Sequence, residues 1–380
     1  MPEPRSHRDE IGDAIAGRYV IEKVLGRGGM AVVYCVHDAQ DGRRLALKRA
    51  VAADPEKQKR HAALLSREYR TLCQLAHPRI IEVYDYGVDA RGPYYLMELL
   101  DGNDLDASGR LPWREACALL RDVASSLAIL HARGLLHRDV SLRNVRRTAD
   151  GRAKLIDFGA MVSMGVPKAI VGTPPFMPPE VVQMQTLDGR ADLFSLGALA
   201  YRLLTGRDAY RARRTHELRD AWRSRPAAPA RLVPEVPTPL SDLVTQLLAL
   251  DRNARPQSAG EVMSRLCAIA DLPVDEIGVP HAYLNAPPLI GRDRALLTVR
   301  RRLLSLGRRD GGGLLIEGQP GSGRSRLLDA CALEAKLLGA AVLRAGAGDA
   351  DSSFGVVRAL VRQLSALMPK QVARAARLSR

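Results

Sequence analysis

His137-Arg138-Asp139-Val140-Ser141-Leu142-Arg143-Asn144, with Asp157-Phe158-Gly159 beginning thirteen residues after Asn144, decides how this chain is read. Toward the N-terminus, Leu-Ala-Leu-Lys ends on Lys48, fourteen residues after Tyr34, and Glu68 follows in a stretch with apolar residues at helical spacing. Ahead of these, Gly26-Arg27-Gly28-Gly29-Met30-Ala31-Val32-Val33-Tyr34 separates two runs of β-branched residues. Glycines in such a turn let the backbone come close to phosphate oxygens. By itself that loop is a weak signal, and so is a lone Lys or Glu; the ordered set is specific.

The runs YVIEKVL, AVVYCVH and LALKRA, divided by Gly-rich or Asp-Gly turns, predict three antiparallel strands from Arg18 onward. A helix is expected from about Pro55 to Leu75, then two strands in IIEVYDYG and PYYLMEL. Past Trp113 the pattern is mostly helical, as in ACALLRDVASSLAILHARG and LFSLGALAYRLLTG. Strands first and helices after indicate an α+β class. Residues 1–17 are polar and predict a disordered tail, and residues 271–288, rich in proline, predict a linker.

Moving a phosphoryl group requires its phosphates to be held, their charge neutralised by metal and Lys, and an acceptor hydroxyl aligned beside a carboxylate. The residue types for each part occur here in order, and the set matches the protein-kinase signature. Residues 18–270 resemble the eukaryotic-like serine/threonine protein kinases of bacteria. The resemblance extends to Gly172-Thr173-Pro174-Pro175-Phe176-Met177-Pro178-Pro179-Glu180, similar to the family's substrate-binding segment, and to Asp192 and Arg255, similar to the helix Asp and the Arg that pairs with Glu180.

That resemblance implies a bilobal fold: a five-stranded N-lobe with one helix, and a helical C-lobe. It implies ATP and Mg2+ as cofactors. Asp139 would orient the acceptor hydroxyl and take its proton; Asn144 and Asp157 would hold magnesium. Lys48 would bind the α- and β-phosphates, fixed by Glu68. Met97 would be the gatekeeper, with the backbone of Glu98 and Leu100 at the adenine edge. Leu25, Val33 and Ala46 would cover its face, and Gly26, Gly28 and Gly29 would arch over the phosphates. Leu72, Val83, His137 and Phe158 resemble the family's stacked spine. Protein substrates are the implied partners, with a second copy of the chain for autophosphorylation.

Four positions depart from the pattern. Ala31 replaces the third loop glycine. Ser141 stands where these kinases have a Lys near the transferring phosphate, and Arg143 resembles the Arg that tyrosine kinases use from a similar place. Arg146 stands where a Leu is usual beneath the adenine; its stem and planar guanidinium could stack on a base. Finally, Ser163 and Thr173 are the only hydroxyl-bearing residues between Asp157 and Glu180. Ser141 and Arg146 keep a pseudokinase, a nucleotide-gated scaffold, open as an alternative.

Residues 289–380 predict the start of an α/β domain: a helix near Arg294 to Leu306, a strand LLIEG, a Gly-rich loop and another helix. Gly318-Gln319-Pro320-Gly321-Ser322-Gly323-Arg324-Ser325 has phosphate-loop spacing, with Arg324 in place of Lys, and Arg is not equivalent there. The stretch resembles the sensor-type P-loop NTPase modules fused to many bacterial kinases. A regulatory NTPase with the kinase fold as its sensor is the second alternative.

The formal net charge of +15 would raise nucleic acid or an anionic membrane as a partner. Only eight of the 57 basic residues are Lys, and the Arg are scattered along helix-like segments, so no direct nucleic-acid or membrane partner is indicated. The five cysteines show no CxxC pair and predict reduced core residues. The N-terminus has no apolar stretch for a signal peptide, and no run approaches the ~18 apolar residues of a membrane helix. A soluble, cytoplasmic protein is expected.

Overall fold

In a computed structural model the protein is described at residues 11–102, 105, 109–273, 291–305, 311–319, 321–346, 354–368, 372 and 374. Two compact units divide the chain: residues 1–66, 84–96 and 288–380 form one, and residues 67–83 and 97–287 the other.

The first unit is built on a six-stranded sheet, ordered β1-β2-β3-β4-β6-β5. Its strands are β1 (Ala14–Ile15), β2 (Tyr19–Arg27), β3 (Ala31–Asp38), β4 (Arg44–Ala50), β5 (Val83–Asp89) and β6 (Gly92–Met97). One strand is more than the sequence predicts, because residues 14–15, expected in a disordered tail, pair antiparallel with β2. The reason is local: Ile15 is buried at 2% exposure in the cluster of Tyr19, Ile21, Val32, Tyr34, Leu45 and Leu47. Burying that side chain and pairing its backbone offsets the cost of ordering a few residues. The expected tail residues 1–10 lie outside the described residues. Arg49 continues the buried face of β4, bonded to Asp89 at 3.0 and 2.7 Å.

Helix α1 (Pro55–Leu72) leads into the second unit, which is mostly helical. It contains α2 (Trp113–Ala132), α3 (Pro179–Val182), α4 (Arg190–Thr205), α5 (Leu218–Ala221), α6 (Pro229–Leu232), α7 (Thr238–Leu247) and α8 (Ala259–Ala270). Helix α2 packs against α4 and α8, and α4 against α7. Two small antiparallel ladders frame the motif region: β7 (Leu135–Leu136) with β10 (Val162–Ser163), and β8 (Val145–Arg147) with β9 (Ala153–Leu155). Asp122 of α2, buried at 1% exposure, accepts the Ala153 N–H at 3.1 Å and so ties β9 to the helical core.

The proposed linker falls almost wholly outside the described residues, from 274 to 290. Beyond it stand α9 (Asp293–Ser305), α10 (Arg324–Leu337) and α11 (Gly355–Leu367). The expected strand LLIEG is not formed: residues 311–319 have no regular structure, and Leu314 and Leu315 are 54% and 81% exposed. A strand needs a neighbour for its backbone groups, and none lies beside this run among the described residues. The cysteines also differ from expectation: Cys35 and Cys117 are buried, Cys267 and Cys331 half-buried, and Cys73 exposed, all as free thiols. No described helix is long and apolar enough to cross a membrane.

One buried ion pair closes the second unit. Arg255 donates to both carboxylate oxygens of Glu180 at 2.6 and 3.1 Å, and also to the carbonyls of Ala249 and Arg190. The side chains are 0% and 4% exposed, and the guanidinium lies 4.9 Å from the Phe194 ring centroid. Removing one partner strands a buried charge, so Arg255→Ala should cost on the order of 3–5 kcal/mol. Chemical denaturation followed by fluorescence would read it as a lower midpoint at unchanged slope; an unaltered midpoint would show that the pair carries no such weight.

Candidate active site

In the first unit the sheet sorts its residues by alternation. Val32, Tyr34 and Val36 on β3 and Leu45 and Leu47 on β4 belong to the buried cluster, so Val33, Ala46 and Lys48 fall on the opposite face. The strand register sets Val33 directly across from Lys48. Ala46 and Lys48 are buried at 4% and 8% exposure, and Leu25 and Val33 are half-buried. Gly26, Gly28 and Gly29 are exposed, and none has a positive φ. A Cβ at Gly26 or Gly29 would meet no atom within 4 Å, and at Gly28 only the Ala31 carbonyl, at 3.6 Å. The folded chain itself therefore does not require glycine in this turn; close approach by another molecule would.

The second unit brings the rest of the motif residues together around one carboxylate. Asp192, on the first turn of α4, is fully buried. It accepts the backbone N–H of Arg138 at 2.8 Å and of His137 at 2.9 Å, and its Oδ2 lies 2.9 Å from His131 Nε2. Burial alone pushes this carboxyl up, but His131, His137 and the Arg138 N–H together hold it below the ordinary Asp value. The stabilisation is thus present above the usual carboxylate range and is lost as pH falls through the depressed value. Held this way, Arg138 takes a left-handed φ of 69°, sparsely populated for a non-glycine residue, and the chain turns sharply into Asp139.

Both carboxylate oxygens of Asp139 accept hydrogen bonds, and Oδ2, with one donor among the described residues, keeps room for another. Asn144 Nδ2 donates to its Oδ2 at 2.8 Å and to its backbone carbonyl at 2.8 Å. The Thr173 hydroxyl and N–H donate to its Oδ1 at 2.8 and 3.0 Å. Asn144 sits in a short 3-10 turn (Leu142–Asn144), and its carbonyl accepts the Ile156 N–H at 2.9 Å, which places the residue just before Asp157. Asp157 is exposed, with a left-handed φ of 58°. Next to it Phe158 is buried: its N–H donates to Glu68 Oε1 at 3.0 Å, and its ring meets His137 edge-on at 4.9 Å between centroids. Leu72 is buried too, and Val83 half-buried.

Met97, Glu98 and Leu100 are half-buried. The Glu98 N–H is spent on the Glu82 carbonyl at 3.0 Å, so its carbonyl is the backbone group it has to offer a ligand. Its carboxylate takes the Lys154 ammonium and, at 2.8 Å, the Glu82 N–H. Arg146, half-buried, donates to the Gly102 carbonyl at 2.7 Å. Ser141 is buried at 2% exposure, and Arg143 is exposed. Ser163 lies on β10, apart from the Asp139 cluster. In the first unit, Arg324 and Ser325 open α10 behind Gly323, which is in the left-handed region, and Gly318 lies in the irregular run before them.

Asn144 and Asp157 offer the oxygen donors that a hard cation prefers. Among the described residues no group of three or more His, Cys, Asp and Glu is arranged to hold a metal. A magnesium ion that takes one or two protein oxygens and the phosphates of its substrate needs no such cage.

The family model described as "Protein kinase domain" matches residues 19–266. This chain belongs to the protein kinase domain family. A probable serine/threonine-protein kinase of Streptomyces coelicolor is 34% identical over 290 residues, covering 71% of this chain and 41% of that protein. Serine/threonine-protein kinase pkn2 of Myxococcus xanthus is 33% identical over 271 residues, 66% of this chain and 32% of its own length. PknA of Mycobacterium tuberculosis is 30% identical over 276 residues, 68% and 63% of the two chains. The chain thus spans between a third and two thirds of these relatives. Its kinase domain is of the bacterial serine/threonine type, with a sheet-rich N-terminal part and a helical C-terminal part.

Sequence reasoning did not single out His131, six residues before His137, although a His at the end of α2 so close to the motif was a signal within reach. Nor did it find Lys154, which has only its position on β9 to mark it. For the glycine turn, Gly28→Ala with Gly29→Ala should leave folding unharmed, or raise stability by ~0.4–1 kcal/mol per site through the unfolded chain. Binding of a fluorescent ATP analogue should weaken roughly tenfold, about 1.4 kcal/mol. Unchanged analogue affinity would mean that these glycines serve no ligand.

Proposed function

We propose that this chain transfers the γ-phosphoryl group of ATP to serine or threonine hydroxyls of protein substrates, itself included. The observation that carries this is the Asp139 cluster, a carboxylate held by Asn144 and already accepting an alcohol O–H, from Thr173, at 2.8 Å. An incoming hydroxyl can bond to the same carboxylate, which orients its oxygen and receives its proton as the new P–O bond forms and the bond from the γ-phosphorus to the β–γ bridging oxygen breaks, releasing ADP. Magnesium, when bound, would neutralise phosphate charge, and Asn144 and Asp157 would hold it.

The remaining roles are those that the resemblance to protein kinases implies. Lys48 would bind the α- and β-phosphates as a point charge, with Glu68 as its partner. By that resemblance the backbone of Glu98 and Leu100 would meet the adenine edge, Met97 would be the gatekeeper, and Leu25, Val33 and Ala46 would cover the adenine face. Ser141 leaves the site without the usual Lys, and the exposed guanidinium of Arg143 would supply positive charge to the transferring phosphate. Removing one such donor typically costs ~10²–10³ in kcat.

A pseudokinase is the second reading, favoured by the Arg146 side chain tied to the Gly102 carbonyl where an apolar floor is usual. Residues 289–380 are read as P-loop NTPase-like, on the spacing of Gly318 to Ser325 leading into α10. We assign the protein to the cytoplasm, where ATP is available and free thiols stay reduced.

Labelled ATP with magnesium, incubated with the protein and a generic basic protein, should give phosphoserine or phosphothreonine. Asp139→Asn should abolish the label, and Arg143→Ala should lower kcat by at least ~10-fold with little change in KM for ATP. ATP binding without transfer by the unaltered protein would replace the kinase reading with the pseudokinase.

A further inference from the structure

The segment from Asp157 to Glu180 bears on how the Arg138 guanidinium is bonded, with Nη2 donating to the segment and the buried Nε without a partner among the described residues. Arg138 Nη2 donates to the Ala169 carbonyl at 2.6 Å, while its backbone is fixed by Asp192. A guanidinium beside a catalytic Asp is suited to a phosphate, with its two negative charges and several acceptor oxygens. Here a neutral main-chain oxygen of the same segment accepts one of its N–H groups. Burial lowers the Arg138 pKa, with Asp192 acting the other way.

Further contacts order the segment without any phosphate. Val162 and Met164 pack against the buried cluster of Leu136, Val181, Leu187 and Ala191. Ser163 pairs with Leu135 in the β10–β7 ladder, and the Met164 N–H donates to the Gly134 carbonyl at 2.8 Å. Gly165 and Leu187 exchange backbone hydrogen bonds at 3.0 and 2.8 Å. At the far end Thr173 is held by Asp139 and Glu180 by Arg255. Of the two hydroxyl residues in the segment, Thr173 is committed to Asp139, and Ser163 lies in a strand six residues ahead of Ala169.

We propose that the Arg138–Ala169 contact stands in for a loop phosphate, so that the activation segment is competent for phosphotransfer without being phosphorylated. Arg138 is then a positioning residue acting through Asp139, and control of the enzyme is exerted outside residues 157–180. This rests on the kinase reading above.

The test uses the full chain co-expressed with a protein phosphatase and shown by mass to be phosphate-free. Initial rates toward a protein substrate are measured at low enzyme concentration, before and after prolonged autophosphorylation. Phosphate-free enzyme and Ser163→Ala, a residue outside the Asp139 cluster, should start without a lag and within about twofold of the autophosphorylated enzyme. Arg138→Lys, which can still reach one carbonyl, should keep most of kcat, whereas Arg138→Met should lose it with KM for ATP little changed. Activation by a phosphate that maps outside residues 157–180 also supports the proposal. A lag, or an activation of about tenfold or more tracking phosphate on Ser163 or Thr173, overturns it and leaves the kinase reading standing. No transfer from either form overturns both.

Discussion

In the second unit, the candidate site hangs on a carboxylate that water cannot reach. Burying Asp192 would be prohibitive for an isolated charge, and the structure offsets that cost with two backbone N–H donors and the His131 ring. Because two of the donors are successive amides, the bond pattern fixes the backbone of His137 and Arg138. The left-handed turn at Arg138 follows, and with it the position of Asp139. The His131 ring is itself confined: a Cβ at Gly189 would come within 2.7 Å of its Nδ1, so glycine leaves just the room the imidazole needs.

From that turn, short polar contacts extend in both directions. Asn144 and Thr173 each bind one carboxylate oxygen of Asp139, which joins the His137–Asn144 stretch to the segment that follows Phe158. Glu68 receives the Phe158 N–H, and Arg255 holds Glu180 at the segment's end. Each bond is ordinary in strength. Their joint effect is that Asp139 cannot move without breaking several at once, the kind of preorganisation that phosphoryl transfer needs when the protein contributes positioning and charge.

Much of this was legible because the chemistry restricts residue type as well as spacing. His137-Arg138-Asp139, Asn144 and Asp157-Phe158-Gly159 recur at the family's spacing even though Ser141 between them departs from it, so the order of motifs pointed to the family and the strand-then-helix pattern to the class. Alternation along AVVYCVH and LALKRA placed Val33, Ala46 and Lys48 on one face. What was hidden depends on contacts without a residue signature. The Ala169 carbonyl is a backbone acceptor that any residue could supply, and the Glu98 N–H is spent by tertiary pairing. Ile15 joins the sheet because it finds a buried site, which polar neighbours in sequence conceal. LLIEG reads as a strand by composition, yet no partner strand stands beside it among the described residues.

The most direct measurement is steady-state phosphotransfer by Asp192→Asn, a substitution that keeps the shape but gives up the charge and turns an NH2 toward donors. With the protein still folded by circular dichroism, kcat should fall about a hundredfold or more while KM for ATP stays within about threefold, as expected when a reacting group is displaced by a fraction of its hydrogen-bond length. A folded variant with undiminished kcat would contradict the account, because Asp139 would then be held in place by something other than this buried carboxylate.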